Sequence, residues 1–267
     1  MDWSARCALI IPCLNEAQTI ARLVTAARLH LPTVFVIDDG STDGTADEAR
    51  SAGAKVIAHS TPQGKGASLK EAFDVASRHG FSWALCMDGD GQHAPDDIPT
   101  FFKLAENSGA DLVIGNRMHQ AERMPWLRRR VNQWMSARIA SLAGTATPDS
   151  QCGFRLINLQ RLPHLDLRSR HYEFESDMVV QFGRARFRIE FVPVQVIYRQ
   201  EQSKIRPLTD TLRWLRWWWN TSVAQKNAFA SPRASRPTDD SFRGGNAPTS
   251  CATPPAPSSS VAPGKAL

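Results

Sequence analysis

Asp88 and Asp90 stand one residue apart in Leu85-Cys86-Met87-Asp88-Gly89-Asp90-Gly91-Gln92-His93. The apolar run before them reads as a buried strand, so the acids fall at its C-terminal end. In open α/β sheets, ligands bind outside the carboxyl ends of the strands. Two carboxylates flanked by Gly89 and Gly91 can face one hard cation. Mg2+ or Mn2+ gripping a substrate phosphate is held this way, by one or two carboxylates plus substrate oxygens. A polar turn that merely ends a strand uses the same residue types, and the pair alone does not decide between them.

A second acid pair, Asp38-Asp39, also follows an apolar run, Val34 to Ile37. Both pairs should therefore converge on one edge of a sheet. Lys65, flanked by Gly64 and Gly66, lies between them in sequence. A nucleotide could set its base near Asp39 and its pyrophosphate on a metal held by Asp88 and Asp90. Asp43, beside Gly44-Thr45, reads as a helix-capping turn. Neither common phosphate-binding loop is present. Gly64-Lys65-Gly66 lacks the Ser or Thr of a Walker loop, and Pro12-Cys13-Leu14-Asn15-Glu16 stands where G-x-G-x-x-G would follow the first strand.

The elements that must carry these residues alternate. Strands are expected at Cys7–Pro12, Val34–Ile37, Lys55–Ala58, Phe81–Met87 and Asp111–Gly115, with helical spacing between them. That pattern predicts a mostly parallel α/β sheet covered on both faces. Beyond residue 116 the alternation breaks into a basic stretch, Arg123 to Arg138, interleaved with Trp126 and Trp134. Tyr172–Phe182 has helical spacing, and Ile189–Tyr198 reads as strand. Pro207–Asn220 reads as an amphipathic Trp-rich helix with Leu208, Leu212, Leu215 and Trp219 on one face. Four of the eight tryptophans lie between Trp214 and Trp219. Three adjacent tryptophans cannot all face one core, so peripheral membrane contact through Trp214–Trp219 is expected, with arginines near the headgroups. We divide the chain into a catalytic domain, 1–225, and a disordered Pro/Ser/Ala-rich tail, 226–267.

The 267 residues carry a net charge of +6, which favours anionic partners without naming one. The five scattered cysteines show no metal spacing, and a reducing cytoplasmic compartment fits them best. Cys13, Cys86 and Cys152 read as small buried residues. The N-terminus does not read as a signal peptide, and no stretch approaches a membrane-spanning length. The expected location is cytoplasmic, peripheral on the inner face of the membrane.

Taken together, Ile11-Pro12-Cys13-Leu14-Asn15-Glu16, Asp38 to Thr45, Gly64-Lys65-Gly66, Asp88 to His93 and Gly115-Asn116-Arg117 resemble the family 2 glycosyltransferases with a GT-A fold. The nearest branch is similar to the dolichol- or polyprenyl-phosphate sugar transferases, as Asp149-Ser150-Gln151-Cys152-Gly153-Phe154-Arg155, Tyr198-Arg199 and Ser203-Lys204 also suggest. The resemblance covers roughly residues 7 to 216. It implies that Pro12, Leu14, Glu16 and Asp39 line the nucleotide pocket, with Lys65 beside it. It implies that Asp88, Asp90 and Gln92 hold Mg2+ or Mn2+ and the diphosphate. Arg117 and an arginine of Arg128, Arg129 and Arg130 become candidates for the acceptor phosphate. Leu14 stands where the family often has an aromatic residue.

The expected reaction is inverting transfer of a hexose from a GDP- or UDP-linked donor to a polyprenyl phosphate or other lipid-linked acceptor. A lipid phosphate is already ionised. A hydroxyl acceptor on a lipid or pigment would need a carboxylate base, for which Glu175 and Asp177 are the candidates. A nucleotidyltransferase would carry a Gly- and Lys-rich loop after its first strand, where Pro12 to Glu16 stand instead. A nucleic-acid-binding module would use the charge of +6, but its phosphates would meet the strand-end acids, and no nucleic-acid partner is expected.

Overall fold

The computed structural model describes residues 1–197 and 207–230. Its compact unit spans Met1–Ala228. A four-residue helix, α1 (Trp3–Arg6), leads into strand β1 (Cys7–Cys13), and α2 (Ala17–Ala27) crosses to β2 (Val34–Asp38). Helix α3 (Thr45–Ser51) precedes β3 (Lys55–Ala58), and α4 (Lys65–Arg78) returns the chain to β4 (Trp83–Cys86). Helix α5 (Ile98–Ser108) and β5 (Leu112–Asn116) follow, then α6 (Trp126–Ala143) and β6 (Arg155–Asn158). Helix α7 (Glu173–Arg184), β7 (Ile189–Pro193) and α8 (Pro207–Ala230) complete the described chain.

The seven strands lie in the order β3-β2-β1-β4-β6-β5-β7. Strands β1, β2, β3 and β4 are mutually parallel. β1 and β2 are buried along nearly every residue, which requires cover on both faces. The helices supply it with apolar stripes at helical spacing. Ile20, Leu23, Val24 and Ala27 do so on α2, and Leu69, Ala72, Phe73 and Ala76 on α4.

The chain adds β2 and β3 on one side of β1, then crosses through α4 to place β4 on the other. The sheet's direction of growth reverses between β1 and β4. Two helices leave such a point in opposite senses, opening a crevice at the strand C-termini. Asp88 follows the end of β4 there.

The sequence pattern did not anticipate β6. This strand inserts antiparallel between β4 and β5, with Leu85 opposite Leu156 and Val113 opposite Leu156. Four residues are too few for periodicity to reveal, and an arginine opens the run. The expected strand at 189–198 is confined to Ile189–Pro193. The Trp-rich helix extends to Ala230, past the boundary expected at 225. The tail expected to be disordered lies beyond, outside the described residues, as do Tyr198-Arg199 and Ser203-Lys204. Among the described residues no helix is long and apolar enough to cross a membrane. Cys13, Cys86 and Cys152 are buried and free.

Leu85 is fully buried on β4, between β1 and β6. Truncation to Ala should destabilise the fold by about 2–5 kcal/mol, since a packed core relaxes only partly around a new cavity. Denaturant titration measures the loss, which should appear as a lower midpoint with an unchanged slope.

Candidate active site

Parallel register sets Cys13 of β1 opposite Asp38 of β2, and Ile10 of β1 opposite Cys86 of β4. The two acid pairs therefore flank the end of β1, as their strand-end positions predict. Pro12, Leu14 and Glu16 are half-buried between them. Asp39 N–H donates to Cys13 O at 2.8 Å, tying the two strand ends together. Thr19 donates to Gly89 O at 2.7 Å, joining α2 to the acidic loop.

Asp88 is balanced by basic side chains. Lys65 Nζ donates to Asp88 Oδ1 at 2.5 Å and to Glu175 Oε1 at 2.8 Å. His93 Nε2 lies 3.3 Å from Asp88 Oδ2. Burial alone would raise the Asp88 pKa, but Lys65 and then His93 outweigh it and hold the carboxyl well below its usual range. Burial likewise opposes the Lys65 charge, and Asp88 and Glu175 outweigh it, holding the ammonium above the ordinary lysine value. Lys65, expected beside the nucleotide, thus bridges two carboxylates. It reaches them from the first turn of α4, where Gly64 takes a φ of +102°.

Asp90 is the acid with spare capacity. Burial, and next the charge of Asp88, hold its carboxyl above the ordinary value. One oxygen accepts the Gln92 N–H at 2.9 Å. Among the described residues no cluster of three or more His, Cys, Asp or Glu forms a cage for a metal. A Mg2+ site built on one or two carboxylates and substrate oxygens needs no such cage. The repulsion felt by Asp90 and its hard oxygen donors fit a divalent cation there, with Gln92 alongside.

The loop after α6 closes over Asp88. A Cβ on Gly153 would stand 2.5 and 2.6 Å from the Asp88 carboxylate oxygens, so any larger residue there would displace the carboxylate from this position. Arg155 pins the loop from inside the protein. Its fully buried guanidinium donates to the carbonyl oxygens of Cys152, Glu175 and Ser150 at 2.7, 2.6 and 2.7 Å. The sequence reading passed over Arg155 as a positioning residue. The available signal was a lone charge opening the apolar run Leu156-Ile157.

Arg117 follows β5 and grips Asp149 through Nε and Nη2, at 2.7 and 2.9 Å. Burial opposes the charge on each, and each partner outweighs it: the Arg117 pKa is raised and that of Asp149 lowered. Asn132 of α6 donates to the same carboxylate at 3.1 Å. With 100° per residue, Arg128 and Arg129 lie within about 60° of Asn132 around α6. Arg130 lies about 160° away. The expected three-arginine acceptor cluster is therefore divided: Arg128 and Arg129 flank the Asn132 side, and Arg130 faces away. All three are exposed.

Glu175 and Asp177 cannot serve one site, because they are two residues apart on α7 and point to opposite sides. Glu175 meets Lys65. Asp177 is buried and accepts from Ser169 N and Oγ, at 3.3 and 2.9 Å. The expectation for the tryptophans also needs correction. Trp214 is buried and donates to Ser176 Oγ at 3.0 Å, and Trp217 and Trp218 pack partly against the core. Only Trp219 of the four is largely exposed, at 64%, with Leu212 at 67%. Trp126 and Leu127 of α6 add exposures of 74% and 60%.

The mostly parallel sheet, its switch point and the strand-end acids fit the GT-A class of sugar-transferring enzymes. More particularly, the chain belongs to glycosyl transferase family 2, whose family model matches residues 8–161. Among relatives it is 31% identical to the polyprenol monophosphomannose synthase of Mycolicibacterium smegmatis, over 73% of this chain and 78% of that one. It is 30% identical to the UDP-N-acetylglucosamine--dolichyl-phosphate N-acetylglucosaminyltransferase of Methanococcus voltae, over 72% and 86%. The fold is similar to glucosyl-3-phosphoglycerate synthase from Mycobacterium tuberculosis, solved with Mn2+, UDP and glucosyl-3-phosphoglycerate. The TM-score is 0.63 at 21% identity, covering 82% of this chain and 79% of that one.

Asp149→Asn removes the partner of a buried guanidinium and should cost about 3–5 kcal/mol. The depressed Asp149 pKa fixes the sign with pH. The pair's contribution is complete above about pH 4, the unfolded carboxylate range, and is lost as pH falls through the lower folded value. Denaturation curves across acidic pH should show this loss in the parent and its reduction in Asp149→Asn.

Proposed function

We propose that this enzyme transfers a hexose from a nucleotide sugar to a polyprenyl phosphate, with inversion at the anomeric carbon. The acceptor class rests on one observation. Glu175 is already neutralised by Lys65 and Asp149 by Arg117, and Asp177 is turned to Ser169. A hydroxyl acceptor needs a carboxylate free to take its proton. A phosphate monoester arrives ionised and attacks without one. The named activities of the Mycolicibacterium and Methanococcus relatives, on polyprenol and dolichyl phosphate, support the same reading.

Pro12, Leu14, Glu16 and Asp39 line the donor's nucleoside. Asp90, Asp88 and Gln92 would hold Mg2+ or Mn2+ beside its diphosphate, and the neighbour of similar fold was solved with Mn2+ and UDP. When bound, the metal supplies Lewis-acid stabilisation of the diphosphate leaving group. Lys65 holds Asp88 in its ionised form at fixed geometry. Arg117, held charged by Asp149, offers preorganised electrostatic stabilisation to the incoming phosphate, and Arg128 and Arg129 flank its approach.

The enzyme works at a membrane surface, on the cytoplasmic face where free buried cysteines fit a reducing compartment. The contact surface combines Trp126, Leu127 and Arg130 of α6 with Leu212 and Trp219 of α8. Apolar side chains beside arginines suit the boundary between acyl chains and anionic headgroups. Trp126→Ala combined with Trp219→Ala should reduce sedimentation with vesicles containing phosphatidylglycerol, while thermal unfolding stays near the parent value. Undiminished sedimentation would reject this surface.

The function is tested with a panel of nucleotide sugars, Mg2+ or Mn2+ and a polyprenyl phosphate, following nucleoside diphosphate release. We expect one donor to support release that depends on both metal and lipid phosphate. Asp90→Ala should reduce it by at least about 100-fold, the scale of losing a principal electrostatic stabiliser. Release that is undiminished in Asp90→Ala rules the site out.

A further inference from the structure

The donor's base, on the reading above, meets Asp39, and the surroundings of that carboxylate are unusually complete. Asp39 Oδ1 accepts from Gln63 N–H at 2.8 Å and faces His59 Nδ1 at 2.7 Å. Asp39 Oδ2 accepts from Gly64 N–H at 2.8 Å. An ionised carboxylate has about four acceptor positions. Among the described residues three are occupied, and the remaining one is on Oδ2.

His59 follows β3, and its own N–H donates to Asp38 O at 2.9 Å. Its side chain is only 5% exposed. The second ring nitrogen, Nε2, lies 2.7 Å from Glu71 Oε2 on α4. Each ring nitrogen thus faces a carboxylate oxygen. Two ionised carboxylates can only accept, so both nitrogens must donate, and the ring carries both protons.

We propose that His59 is the positioning residue for base recognition: as an imidazolium it fixes Asp39 as an acceptor with one open lone pair for the donor's base. The proposal rests on the assignment of Asp39 to the nucleoside pocket. A fixed acceptor matches the imino N–H that uracil or guanine presents at its pairing edge. It repels the bare ring nitrogen that adenine or cytosine presents there.

The arrangement makes donor binding depend on pH. Burial alone would lower the His59 pKa, but Asp39 and Glu71 together outweigh it and raise it above the ordinary value. These are the charged groups that face the ring. Asp38 is turned to the Ser41 N–H, Lys55 of β3 lies over the Phe35 ring, and Lys65 of α4 is held by Asp88 and Glu175. The sign follows from the raised value. The imidazolium is complete below the ordinary histidine pKa of about 6.5, and is lost as pH rises through the higher folded one. Loss of the proton leaves one carboxylate facing a ring nitrogen that no longer donates.

The test is calorimetric binding of UDP and GDP with Mg2+ between about pH 6 and 8.5, a range spanning the histidine transition. Affinity in the parent enzyme for the nucleotide that binds should fall on the order of tenfold across this range, the scale of one charge-assisted hydrogen bond. His59→Leu should bind at least about tenfold more weakly at pH 6. His59→Asn keeps an N–H donor toward Asp39 but has no proton to lose. It should bind about as the parent does near pH 8.5 and flatten the pH profile, with Glu71 left to solvent. ADP and CDP should bind more weakly than the preferred nucleotide. Parent-like affinity in His59→Leu, an unchanged pH slope in His59→Asn, failure of folded His59→Asn to bind, or equal binding of ADP and CDP overturns the proposal. Failure of the parent enzyme to bind any nucleoside diphosphate would reject the proposed function instead, so the two failures are distinguishable.

Discussion

Asp88 sits where an apolar strand runs out, and its charge must be balanced inside the protein. The desolvation of a half-buried carboxylate is offset by close partners of opposite charge and by hydrogen bonds. Lys65 from α4 and His93 from the acidic loop supply them. Lys65 is shared with Glu175, so the same ammonium joins α4 to α7. Gly153 brings the loop after α6 against the same carboxylate. Three segments distant in sequence are thus fixed around one acid. Asp90, two residues further on, is left with an unfavourable neighbouring charge, which a bound divalent cation would relieve.

A second set of polar contacts extends from this point to the exposed aromatic surface. Arg117 holds Asp149, and Asn132 of α6 donates to the same carboxylate. Asn132 accepts from Ser136, which in turn accepts the Ser150 N–H. Gln151 donates to Ser150 and to Ser176, and Trp214 of α8 donates to Ser176. The helices that carry Trp126 and Trp219 are therefore registered to Arg117. Polar chains of this kind hold one geometry because leaving any member unpaired costs its full desolvation.

Much of the frame was legible because its signals are local. Apolar runs gave β1, β2 and β4, the last two ending in acids, and the stripe of Ile20, Leu23, Val24 and Ala27 gave α2. Parallel connection alone then placed Asp39 and Asp88 at one edge. β6 was not legible, since its four residues are defined by pairing with β4 and β5 rather than by a pattern of their own. Glu175 and Asp177 looked equivalent in sequence, and helical geometry sends them to opposite surroundings. The Trp214–Trp219 stretch reads in sequence as a membrane contact, yet Trp214 is buried against Ser176, because burial depends on which face of α8 meets α7.

The sequence by itself determined the chemistry available: strand-end acids, a glycine-flanked lysine and downstream arginines in an alternating α/β pattern. Those features follow from residue type and short-range period, which need no partner to be read. The tertiary structure decided how each charge is used. It tied Lys65 to Asp88 and Glu175, Arg117 to Asp149, and His59 to Asp39 and Glu71. Electrostatic pairing depends on distance and burial rather than on order along the chain, so only the folded molecule shows which acids are neutralised and which remain open to a ligand.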